Sequence, residues 1–194
     1  MKNKDLIIYV HGWNSFEGAR KATLLKELIN NQHFEVISIT LESHPRNAIA
    51  QLSKLIELEM AHRNVHLIGS SLGGYYSTYL SEKYNLKAVM INPAVWAYKI
   101  FENNRGDNEN PNTGEKYFID QEWIDSLEEI FIADLKFKSN FMVLLQTADE
   151  TLDYRYAEKY FDGTNIVIDE GGSHSFDNLE SKIASILIHF GKNQ

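Results

Sequence analysis

The chain has no cysteine, only three prolines, and no apolar run near the ~20 residues a membrane-crossing helix needs. Without a thiol there can be no disulfide, no thiolate nucleophile and no thiolate-held metal. That is compatible with a reducing cytosol, and a cytoplasmic protein is expected. Positive charge is also scarce: 19 Lys and Arg stand against 27 Asp and Glu, a formal charge of −8. Phosphate backbones are bound by clustered cations, so no nucleic-acid partner is expected. The surplus acid reads as a solvated surface. The opening stretch MKNKDLIIYVHG holds an apolar run, Leu6 to Val10, too short for the core of a signal peptide. Neither a cleaved leader nor a membrane contact is expected.

What is present is ordinary globular material. With 43% hydrophobic and 24% charged residues over 194 positions, the chain can bury one core, and residues 1–194 are expected to form a single domain. Six short apolar runs recur: Leu6–Val10, Val36–Thr40, Val65–Gly69, Ala88–Asn92, Phe141–Thr147 and Asn165–Asp169. Most are continuously apolar rather than alternating, as strands covered on both faces are. Helical periodicities lie between them: Ala22, Leu25, Leu28 and Ile29 share one face, and Ile49, Leu52, Leu55 and Ile56 another. The last helix carries Leu179, Ile183, Ile186, Leu187 and Phe190, with Asp177 placed as its N-terminal cap. Strands alternating with helices predict a three-layer α/β domain, with a mostly parallel six-stranded sheet and helices on both faces. One segment breaks the alternation. FENNRGDNENPNTGEKY, residues 101–117, is polar and rich in turn formers. Together with a helical-looking stretch from Trp123 to Leu135, it suggests a loop and short cap inserted over about residues 95–135. The alternative is a tolerated surface insertion.

Directly after the third run comes Gly69-Ser70-Ser71-Leu72-Gly73, then Gly74 and a helical pattern. This is G-x-S-x-G between a strand and a helix, the nucleophile elbow of an α/β-hydrolase. The turn is so sharp that side chains at positions 69 and 73 would strike neighbouring backbone. Ser71 is therefore the candidate nucleophile; Ser70 would need glycines where Ile68 and Leu72 stand.

A serine hydroxyl needs a positioned base. His174, in Glu170-Gly171-Gly172-Ser173-His174, follows the last strand and precedes the last helix, where the base of this fold belongs. Gly171 and Gly172 would let the loop fold back towards the serine. His62 and His66 are four apart, but the second begins a strand, so no helical metal pair forms. His33, His44 and His189 read as surface or edge positions. The acid should follow the penultimate strand. Asp149 comes first there, Asp153 looks like a helix cap, and Glu150 is expected to point outward; Asp149 is favoured with Asp153 next. Backbone N–H groups of Trp13, in the loop His11-Gly12-Trp13-Asn14-Ser15, and of Leu72 are the candidate oxyanion donors. Trp13 could equally line a pocket. So could Tyr75, Tyr76, Trp96, Tyr98 and Tyr117, although aromatics at such spacing are more often core.

The stretches YVHGWNS, KATLLKELI, LIGSSLGGYYSTYLSEKY, VMINPAV, NENPNTGEKY, LLQTADETLDYRYAEKY and DEGGSHSF run from residue 9 to 176. Through them the chain resembles the YqiA-type esterases, a small bacterial branch of the α/β-hydrolase superfamily. The resemblance implies a minimal hydrolase acting on short acyl esters, with acyl-CoA thioesters as an alternative, and no cofactor or metal. It carries the family's serine onto Ser71, its acid onto Asp149 and its histidine onto His174. Two positions depart from the expected pattern: Ala148, where a glycine before the acid is expected, and HGWN in place of HGFN. The reading at this point is a carboxylesterase with a small-molecule partner. A thioesterase or small peptidase on the same fold is one rival. A catalytically silent binding protein is another.

Overall fold

Apolar runs without alternation become strands covered on both faces. The structure, a computed structural model, describes residues 4–31 and 33–191. Its strands are β1 (Asp5–Val10), β2 (Phe34–Ser38), β3 (Val65–Ser70), β4 (Ala88–Ile91), β5 (Gly106–Glu109), β6 (Lys116–Ile119), β7 (Phe141–Gln146) and β8 (Asn165–Asp169). Six of them form a wholly parallel sheet in the order β2-β1-β3-β4-β7-β8; β5 and β6 pair separately as an antiparallel hairpin. The helices are α1 (Arg20–Ile29), α2 (Pro45–Met60), α3 (Leu72–Tyr84), α4 (Ala97–Phe101), α5 (Gln121–Glu128), α6 (Tyr154–Tyr160) and α7 (Ile183–His189). This is the α/β-hydrolase fold in a six-stranded form.

All six residues of β1 are buried. Leu6, Ile8 and Val10 pack with Leu52 and Ile56 of α2 and Tyr76 of α3. Ile7 and Tyr9 face the other way, against Leu25 and Ile29 of α1 and Ile186 of α7. Each fully buried aliphatic side chain contributes about 1.5–3 kcal/mol, whereas an exposed ion pair contributes at most ~1. The two cores therefore set the positions of the strand ends. The edge strands are less covered: β2 mixes buried with exposed or half-buried residues, and β8 has only exposed and half-buried ones.

Register then decides which loops meet. Val10 lies opposite Gly69, so the loops after β1 and β3 leave the sheet side by side. Gln146 lies opposite Asp169, which does the same for the loops after β7 and β8. Sites in open parallel sheets form beyond these carboxyl ends.

Three local expectations need correction. The polar segment 101–117 is not irregular throughout: it holds a short 3₁₀ turn and the β5–β6 hairpin, paired from Gly106–Ile119 to Glu109–Lys116. The helix expected to run to Leu135 ends at Glu128, after burying Trp123, Ile124 and Leu127. Asp177 does not cap the last helix either. Asn178, with φ 56°, leads into a 3₁₀ turn over Leu179–Lys182, and Lys182 stands at the start of α7 with no side-chain capping bond. Asp177 is held instead by the loop carrying His174, as described below.

Candidate active site

Ser71 sits between β3 and α3 with φ 54° and ψ −121°, a conformation that only glycine adopts without strain. The surrounding glycines show why the sequence turns here. A Cβ on Gly69 would lie 2.5 Å from Ser77 Oγ and 2.8 Å from the carbonyl carbon of Gly73. One on Gly73 would lie 2.6 Å from the carbonyl carbon of Val10. The elbow is also tied to the sheet: Ser71 N–H donates to Ile91 O (3.1 Å), and Ser71 O accepts from Gly74 and Ala94 N–H (2.9 and 3.1 Å).

The structure brings the three residues singled out by sequence into one chain of contacts. His174 Nε2 is 3.1 Å from Ser71 Oγ, and His174 Nδ1 is 2.8 Å from Asp149 Oδ2. Asp149 Oδ1 also accepts from the Thr151 and Leu152 amides at 2.9 and 2.8 Å. Its side chain is only 2% exposed. Burial by itself would raise this carboxyl's pKa, yet the bonds from His174 and from the Leu152 and Thr151 amides outweigh it and hold the pKa below its ordinary value. Asp153 stands apart: it caps α6 through Arg155 N–H (3.1 Å) and pairs with the Arg155 guanidinium. Ala148, the departure from the family pattern, has no positive φ and donates to Gly171 O at 2.9 Å, so that turn needs no glycine.

The loop carrying His174 is held by side chains that sequence reasoning did not single out. Gln146 Oε1 accepts from Ser173 and Asp177 N–H (3.0 and 2.8 Å), while its Nε2 donates to Asp177 O (2.8 Å). Asn92 reaches the same loop through Ser173 O (2.9 Å) and braces Gln146 N–H (3.1 Å). Glu150 is exposed, but it does not simply point outward: its Oε2 accepts the His174 N–H at 2.9 Å. Gly172, at φ +79°, packs against the Gln146 amide head, which explains the second glycine of the pair. The general signal was available, since polar residues ending buried strands must bond to something. Their partners lie about 30 and 80 residues away and could not be read from spacing.

The loop after β1 lies against the nucleophile, for a Cβ on Gly12 would come 3.2 Å from Ser71 Cβ. Among the described residues, neither the Trp13 nor the Leu72 amide has an acceptor within the protein. His11 is buried and bonds on both sides, Nδ1 to Gly12 O (2.9 Å) and Nε2 to Leu41 N–H (3.1 Å). That pattern selects the Nδ1–H tautomer, and burial lowers its pKa, which keeps the ring neutral. The β5–β6 hairpin closes on the same loop. Asn110 Nδ2 donates to Ser15 O (3.1 Å) and Asn112 Nδ2 to Asn14 O (2.7 Å). Tyr117 Oη accepts from Trp13 Nε1 (2.6 Å) and donates to Asn14 Oδ1 (2.7 Å). The insertion thus braces the loop after β1.

The other aromatics divide. Tyr75 and Tyr76 belong to the core, Tyr75 Oη donating to Leu127 O. Trp96 lines a second, more apolar cavity with Tyr156 and Leu152. The cavity over Ser71 and His174 encloses about 400 Å³, with Trp13, Lys21 and Phe176 among its walls. Among the described residues, no three His, Asp or Glu side chains converge as a metal ion would require. No helix there is long and apolar enough to cross a membrane.

Comparison with known proteins bears out the family and the fold. Residues 6–191 match the model of a family described as "Uncharacterised protein family (UPF0227)". A UPF0227 protein YcfP from Salmonella gallinarum is 26% identical over 187 residues, covering 93% of this chain and 96% of that protein. YcfP from Escherichia coli O9:H4 matches at the same identity and coverage, 26% over 187 residues. Among solved structures, Est1E from Butyrivibrio proteoclasticus superposes with a TM-score of 0.78 at 14% identity, covering 99% of this chain and 90% of its own. A monoacylglycerol lipase from Paleococcus ferrophilus gives 0.68 at 16% identity, covering 95% and 93%. At such identities the likeness is one of fold.

Proposed function

We propose that this chain, which belongs to the UPF0227 family, is a serine hydrolase that cleaves small carboxylic esters through an acyl-enzyme on Ser71. The observation that carries this reading is the unbroken line from Ser71 Oγ through both His174 nitrogens to Asp149, at 3.1 and 2.8 Å. His174 Nε2 takes the hydroxyl proton as Ser71 Oγ attacks the acyl carbonyl, and returns it to the leaving alkoxide. Asp149, kept ionised by the Thr151 and Leu152 amides, holds the proton on His174 Nδ1 and stabilises the imidazolium. The free Trp13 and Leu72 amides receive the oxyanion. Such donors act where charge grows only in the transition state. Water, deprotonated by His174, then releases the acid from Ser71. A cavity of about 400 Å³ suits a small ester better than a long chain.

Turnover of 4-nitrophenyl acetate by purified protein tests the proposal. Ser71→Ala should lower kcat by about 10⁶ with the fold intact. Equal rates for wild type and Ser71→Ala would overturn it. Matched ester, thioester and amide substrates then rank the bond types by kcat/KM.

A further inference from the structure

The wall of the Ser71 cavity includes two cations, Arg20 and Lys21, from the first turn of α1. Lys21 is half-buried and donates one hydrogen bond, Nζ to Ser175 O at 3.0 Å. An ammonium carries three donors, and among the described residues neither Lys21 nor Arg20 has a carboxylate at ion-pair distance. Glu180 is also in the cavity wall, so two positive groups there face one negative. Leaving a partly buried charge without a counter-ion is costly. Burial, and next the neighbouring Arg20, push the Lys21 ammonium below the ordinary lysine range, with Asp149 pulling the other way. A bound anion would relieve both effects.

Position identifies which half of a substrate such an anion would belong to. Lys21 is bonded to the residue after His174. The base that protonates the leaving oxygen must stand beside the leaving group. Of the two oxyanion donors, Trp13 shares this cavity's wall, while Leu72 lies outside it and lines the neighbouring cavity with His11 and Asn14. Resting on the serine-hydrolase reading, we propose that Lys21 and Arg20 form an anion subsite for the alcohol half of the ester. The preferred substrates would then be acyl esters of alcohols bearing a carboxylate or phosphate close to the scissile bond.

The test uses the wild-type chain with three alcohols of one shape: 4-hydroxybenzoate, 4-hydroxyphenyl phosphate and the neutral 4-hydroxybenzamide. Binding is measured by calorimetry, and kcat/KM is measured on their acetates. At least one anion should be favoured over the amide about tenfold in both measurements, the size of one or two charge-assisted hydrogen bonds. Whichever anion shows the larger ratio identifies the group. Arg20→Gln and Lys21→Gln should each bring the anion-to-amide ratio towards one. Thermal melts check that the variants fold, and the exposed Arg20 supplies a variant that leaves the Ser175 contact alone. An anion-to-amide ratio of one in the wild type, or a ratio indifferent to both substitutions, would overturn the subsite. Hydrolysis of all three acetates at one rate would overturn it while leaving the hydrolase reading in place. Selective anion binding without any turnover would do the reverse.

Discussion

Gly171 and Gly172 have almost the same backbone, φ +80° and +79°, but very different surroundings. A Cβ on Gly171 meets nothing within 4 Å. A Cβ on Gly172 would lie 2.8 Å from Gln146 Nε2 and closer still to Oε1 and Cδ. Alanine at 171 should therefore cost only the left-handed backbone, about 1–2 kcal/mol. At 172 it must also evict the Gln146 amide and the three hydrogen bonds that side chain makes to Ser173 and Asp177. At ~0.5–1.5 kcal/mol each, those bonds bring the total for Gly172→Ala to roughly 3–6 kcal/mol. Urea denaturation of both variants gives the two costs directly. A cycle with Gln146→Ser sharpens the test, because a Gln146 side chain already removed cannot be evicted. The double variant should fall short of additivity by ~2 kcal/mol or more, against the few tenths seen for independent sites. Additivity, or equal costs at 171 and 172, would refute the packing of Gln146 under the loop.

Asp149→Asn should lower kcat by about 10⁴ with the fold intact. Asp153→Asn should leave kcat near wild type and weaken only the α6 cap, by at most about 1 kcal/mol; stopped assays and melts on both variants decide between the two acids. The folded-state pKa of Asp149 is lowered, so its stabilising contribution is complete above the unfolded value of about 3.9 and is lost as pH falls through the folded one. Wild type should accordingly lose more stability than Asp149→Asn between about pH 5 and pH 2, measured as denaturation midpoints. Tyr117→Phe removes the hydroxyl joining Trp13 to Asn14, and should reduce kcat by on the order of tenfold while the hairpin stays folded. An unchanged kcat there would mean that the hairpin does not position the oxyanion loop.

The layers and the strand sites were legible because their causes are local. Runs such as Leu6–Val10 and Phe141–Gln146 are apolar on both faces, and only a covered parallel sheet accommodates that. Ser71 was readable because the glycines frame it in sequence: Gly69 answers to a clash with Gly73 and Ser77 close by in the chain, although Gly73 answers to the Val10 carbonyl of the neighbouring strand. His174 and Asp149 followed from chain order after the last two sheet strands. What escaped depends on distant partners. Glu150 was expected to face solvent, and it does, yet its carboxylate returns to an amide 24 residues on. Asp177 had the residue type of a cap but is taken up by Gln146 and Ser173. The hairpin that begins within 101–117 was hidden because Gly106–Glu109 and Lys116–Ile119 are strands of only four residues, the first of them polar, anchored by Asn and Tyr contacts to residues 14–15. Periodicity cannot report such contacts.

The most direct test of the central claim is intact-mass and peptide analysis of the native protein after exposure to a fluorophosphonate probe. A single adduct on Ser71, absent from Ser71→Ala and much slower to form in Asp149→Asn, is the predicted result. No adduct on the folded wild type, or one on Ser70 or elsewhere with Ser71 untouched, would contradict it.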